Sequence, residues 1–90
     1  MKLDEIQDDK LYDVIVASPK RGGHKEAVDL PYDEARQALI RAFEEYRTPM
    51  FREEPQNVEW KWISKDEAGL TNNRTGVVIF FYLRDVSKKR

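Results

Sequence analysis

The hydrophobic pattern is densest from Val77 to Leu83, which reads Val-Val-Ile-Phe-Phe-Tyr-Leu between Arg74-Thr75-Gly76 and Arg84-Asp85. In a strand, alternate side chains point to opposite faces. Val77, Ile79, Phe81 and Leu83 then share one face, and Val78, Phe80, Tyr82 and Arg84 the other. Apolarity on both faces, with β-branched and aromatic residues throughout, predicts a strand inside a sheet rather than at its edge. Leu11 to Ser18 has the same two-sided character: Tyr12, Val14 and Val16 on one face, Leu11, Ile15 and Ala17 with Asp13 on the other. It is expected beside Val77–Leu83 at the sheet centre. Lys25–Leu30 is shorter and more polar, as an edge strand should be. Asn57–Ser64 is a further strand, with Val58, Trp60 and Trp62 opposite Glu59, Lys61 and Ile63.

Between these runs the period changes from two to about 3.6. Ala35, Ala38, Leu39, Ala42, Phe43 and Tyr46 recur at spacings of three and four, which makes one apolar helical stripe. Pro31 suits the first turn, and Asp33 and Glu34 complement the positive end of the helix dipole. Thr48-Pro49 is expected to end this helix, because the residue before a proline disfavours the helical region. Met50–Gln56 then reads as a polar loop anchored by Met50 and Phe51. Ser18-Pro19-Lys20-Arg21-Gly22-Gly23 is a turn. Lys65–Arg74 reads as a long hairpin connection with Gly69 and Asn72-Asn73 as turn residues. The expected fold class is α+β: a four-stranded mixed sheet with one helix packed on one face. The element order is ββαββ. With the first and last strands parallel in the middle, the strand order is 2-1-4-3, a β-grasp-like topology.

Ninety residues suit one domain. Residues 11–86 form it, after a flexible acidic lead-in over 1–10 and before a basic tail over 87–90. The absence of cysteine removes disulfides, thiolate chemistry and cysteine metal sites. Met1–Lys10 lacks the apolar core of a signal peptide, and no run is long enough to span a bilayer, so a cytoplasmic, soluble protein without membrane contact is expected. The formal charge of −1 gives no global attraction to nucleic acid.

Catalysis finds little support in the pattern. His24 is the only histidine, the carboxylates sit in polar stretches, and no serine lies in a nucleophile motif. Neither an enzyme nor a cofactor or metal site is expected. Two binding surfaces are. One helix covers one face of the sheet, which leaves Val78, Phe80 and Tyr82 on the other, in company with Tyr12, Val14 and Val16 or with Trp60 and Trp62. An uncovered apolar patch marks an interface, unless Met1–Lys10, Met50–Gln56 or Lys65–Arg74 folds over that face. The second surface is the loop Lys20, Arg21, Gly22, Gly23, His24 and Lys25, whose glycines could turn backbone donors toward an anion, together with Lys88, Lys89 and Arg90 of the tail. The loop lacks the spacing of a phosphate-binding P-loop, and an exposed hairpin turn whose charges keep it soluble is the more ordinary reading of it. The expected function is a small non-enzymatic interaction or regulatory domain. It would act by self-association or by docking a protein partner on the sheet face or edge. The alternative is a single-stranded nucleic-acid binder that stacks bases on the sheet aromatics and holds phosphates with the Lys20–Lys25 loop.

Overall fold

A computed structural model describes residues 10–20 and 22–86. The lead-in over 1–9, Arg21, and the tail with Lys88, Lys89 and Arg90 lie outside the described residues. The chain runs β1 (Tyr12–Ser18), β2 (Gly22–Leu30), α1 (Tyr32–Glu53), β3 (Val58–Ser64), β4 (Glu67–Asn72) and β5 (Val77–Asp85). The architecture is α+β, one helix on one face of an antiparallel sheet ordered β2-β1-β5-β4-β3.

This corrects the expected four strands and the order 2-1-4-3. Residues 67–72, expected as a connection, form a strand between β3 and β5. Glu67, Ala68, Gly69 and Asn72 belong to types that are sparse in strands. Position overrides that preference, because β4 is paired on both sides. Ala68, Leu70 and Asn72 are buried on the helix side. Gly69 lies opposite Phe80, whose ring stands 3.9 Å from where a Cβ would be. The added strand also reverses the chain once more. The first and last strands are neighbours as expected, but antiparallel rather than parallel, with Val14 opposite Leu83 and Val16 opposite Phe81. The more polar strands, β2 and β3, are the edges, although β2, starting at Gly22 rather than Lys25, is as long as β5.

The core lies between α1 and the sheet. Ala35, Leu39, Ala42 and Phe43 meet Val14, Val16, Val58, Ala68, Leu70 and Phe81. Alanines let the helix approach β1 and β5 closely, while Phe43 fills the wider gap toward β3. Its ring meets Phe81 edge-on at 5.3 Å and Trp62 at 5.1 Å. The helix does not end at Pro49 but runs through it to Glu53. Tyr46 and Met50 continue the apolar stripe into the core, and Phe51 meets Trp60 edge-on at 5.0 Å. Packing of this last turn offsets the proline's missing donor.

Each helix end is tied to a turn flanking β4. At the start, the Tyr32 hydroxyl donates to Asp66 Oδ1 at 2.7 Å. At the end, Arg74 donates to both Glu54 carboxylate oxygens, at 2.7 and 2.5 Å, and Asn57 Nδ2 donates to Glu54 Oε1. Buried Asn72 shapes the second turn: its side-chain oxygen accepts from the Arg74 and Thr75 amides. Gly76 closes that turn at φ +78°, a conformation that L side chains rarely adopt. On the β2 side, buried Asp13 accepts the Asp29 amide at 3.0 Å, and chiefly through this bond its carboxyl is held below the ordinary range.

The packing and the clamp can each be tested by substitution. Phe81→Ala should lower the unfolding free energy by about 3–5 kcal/mol, and Phe80→Ala, one residue along on the open face, by distinctly less; urea unfolding measures both. Arg74 holds the Glu54 carboxyl at about 2, below its ordinary 4.5. A depressed folded-state value stabilises the fold fully above the ordinary value and loses that contribution as pH falls toward the folded one. Arg74→Gln should therefore be less stable than the parent at neutral pH, with the two converging as pH falls from 4.5 toward 2.

Candidate interaction surface

The strand period and the side of the helix decide where each candidate residue lies. Phe81 is buried in the core, with Ile79 and Leu83 packed around it, so Val78, Phe80 and Tyr82 point to the open face. There they are half-buried. Ile15 is opposite Tyr82, and Ala17 is opposite Phe80. Gly69 and Thr71 of β4 flank them on the other side. The apolar strip is therefore narrow, and Glu67, Glu59, Lys61 and Lys25 stand around it. Two shallow depressions open along it, and Phe80 lines both. One, of about 430 Å³, lies among Gly22, Gly23, Glu67, Phe80 and Tyr82. The other, of about 280 Å³, lies among Lys61, Ile63, Gly69, Val78 and Phe80.

The side chains of Tyr12, Val14, Val16 and Trp62 do not join this strip, and Trp60 only borders the second depression. The first three pack on the helix side. Trp60 and Trp62 also turn to that side, where they meet Phe51 and Phe43. Both tryptophans remain substantially exposed, at 38% and 40%. The Arg47 guanidinium lies over the Trp60 ring at 4.8 Å and over Phe43 at 5.5 Å, a cation–π arrangement that also shields apolar surface with its stem. Beyond it a groove of about 410 Å³ runs between α1 and β3, lined by Arg36, Ile40, Phe43, Glu44, Arg47 and Trp62 among others.

The basic loop is divided by the sheet. Gly22 turns the hairpin at φ +79°, and Gly22–Lys25 already belong to β2. His24 is opposite Val16 on the helix side, whereas Lys25 is opposite Ile15 on the open face. His24 Nε2 lies 2.7 Å from Glu26 Oε1, and Lys25 Nζ lies 3.4 Å from Asp13 Oδ2. Two of the loop's candidate groups thus already face carboxylates of the same chain. Lys20 is exposed at the turn.

The surface that the hydrophobic pattern does not reveal is the β3 edge as a whole. Five large hydrophobic side chains are exposed among the described residues: Val28, Phe51, Trp60, Trp62 and Ile63. The last four cluster on β3 and the helix turn beside it. Ile63 was legible only as the apolar member of a polar face, and Phe51 only as a loop anchor. Among the described residues, no group of three or more histidine, aspartate or glutamate side chains is placed to hold a metal ion, and no helix is long and apolar enough to cross a membrane. Comparison with family models, with curated proteins and with solved structures returned no match to this chain.

Proposed function

We propose that the protein is a non-enzymatic interaction domain that works by protein–protein contact on the β3 side of its sheet. One observation carries this reading: Phe51, Trp60 and Trp62 are exposed on the helix side of the β3 edge, and Ile63 is exposed on the open face of the same strand. Scattered exposed apolar residues need no explanation, whereas a contiguous group of large ones is characteristic of an interface. Tryptophan, flanking arginine and a polar rim also match the composition of interface centres. Here Trp60 and Trp62 form the centre, with Glu59, Lys61 and Arg47 around them. The strip Val78, Phe80 and Tyr82 extends the surface around the sheet through Ile63.

A second reading, single-stranded nucleic-acid binding, is favoured by a different observation. The depression holding Phe80 and Tyr82 reaches Pro19 and Gly22 of the β1–β2 turn, which also carries the exposed Lys20, so a stacking platform and a cation-bearing turn share one end of the sheet. Glu67 in the same depression opposes it.

Two measurements separate these readings. Light scattering and affinity capture with the parent chain and with Ile63→Glu should show an association that the variant weakens at least tenfold; a strict monomer that captures nothing would remove the first reading. Fluorescence anisotropy of labelled single strands at low and high salt should show no binding under the first reading. Affinity that falls steeply with salt and is lost in Phe80→Ala would establish the second.

A further inference from the structure

The two edges of the sheet are finished differently. β2 carries two register irregularities against β1, and Asp29 within it adopts φ 54°. Bulges and charges of this kind make a strand a poor template for pairing. β3 pairs regularly with β4 from Val58 to Trp62 and is irregular only between Trp62 and Ser64. It carries its largest apolar side chains exposed.

The backbone of β3 is also oriented for pairing. The Asn73 amide donates to the Asn57 carbonyl at 2.8 Å. In an antiparallel ladder, bonded and non-bonded residue pairs alternate. Along the register Val58–Asn72, Glu59–Thr71, Trp60–Leu70, Lys61–Gly69 and Trp62–Ala68, Glu59 and Lys61 bond to β4. Val58, Trp60 and Trp62 then turn their N–H and C=O groups off the edge of the sheet.

We propose that this edge pairs with β3 of a second copy of the chain, antiparallel about a twofold axis through Trp60, so that two sheets continue into one. The proposal rests on the protein-contact reading above and names its partner. The register is set by charge. A twofold axis perpendicular to the sheet brings together residues of the same face only. Centred on Trp60, it sets Glu59 opposite Lys61 of the second copy, and Lys61 opposite Glu59, on the open face. On the helix side Trp60 meets Trp60, and Val58 meets Trp62. Centred on Lys61 it would oppose two lysines, and centred on Glu59 two glutamates; like charges directly opposite are destabilising, and unlike ones stabilising. Glu59 is already held along this edge, since Asn73 Nδ2 donates to its Oε2 at 3.1 Å. The groove between α1 and β3 leaves space on the helix side for the tryptophans of an added strand.

Sedimentation and light scattering from micromolar to millimolar concentration test the dimer, and charge exchange tests its register. Lys61→Glu should raise the dimer dissociation constant about tenfold, because both symmetry-related pairs turn from attraction to repulsion. The double variant E59K/K61E should restore dimerisation, which also shows that the single variant failed at the interface and not in folding. Hydrogen exchange should show the Trp60 and Trp62 amides slowed in the dimer and fast in monomeric Lys61→Glu, with Glu59 and Lys61 amides slow in both. The chain holds only these two tryptophans, so their emission should track the same concentration dependence. A monomer at millimolar concentration overturns the proposal, as does a dimer indifferent to Lys61→Glu or one that the double variant does not restore. A monomer that still captures another protein through Ile63 overturns it while leaving the interaction-domain reading intact.

Discussion

A helix with its side chains is about 10 Å across. Five strands at about 4.8 Å spacing make a sheet roughly 20 Å wide. One helix cannot roof that width, and the rest of this structure depends on how the shortfall is distributed. α1 packs chiefly over β1, β2 and β5 and touches β3 and β4 least. Its alanines at 35, 38 and 42 set it low over the first group, so the uncovered remainder falls on the β3 side rather than being shared between the two edges.

The chain meets that shortfall with large side chains instead of a second helix. Phe43 reaches from the helix to both Phe81 and Trp62, and Phe51 and Arg47 reach to Trp60. Edge-to-face rings add modestly to what burial provides, but they close the gap only partly, and the tryptophans stay exposed. Polar ties at its two ends, Tyr32 to Asp66 and Glu54 to Arg74, link the helix to the turns on either side of β4. The exposed edge is thus a product of the same packing that makes the core.

Residues whose role depends on local chemistry were legible in the sequence. The two-sided apolar strands, their adjacency, the helical stripe and the identity of the edges all come from periodicity and hydropathy. β4 was not legible because its residues are small or polar, and a strand enclosed by two others needs little propensity of its own. Missing it left β1 and β5 parallel, since each strand added to a meander reverses the direction of the next. The helix end was misplaced because Thr48-Pro49 is a local signal, and the contacts of Met50 and Phe51 that override it are tertiary. For the surface, periodicity correctly grouped Val78, Phe80 and Tyr82, but pairing them with Trp60 and Trp62 required a register between strands that no local pattern supplies.

The seam between β1 and β5 has a consequence for assembly. β3, β4 and β5 succeed one another through short turns, whereas Tyr12 and Asp85 meet across almost the whole described chain. Contacts between residues so far apart in sequence bear the largest loop-closure entropy. Closing the β1–β5 pair therefore carries the largest loop-closure cost in the fold, and α1, which packs on β1, β2 and β5 together, spans that seam from one side to the other.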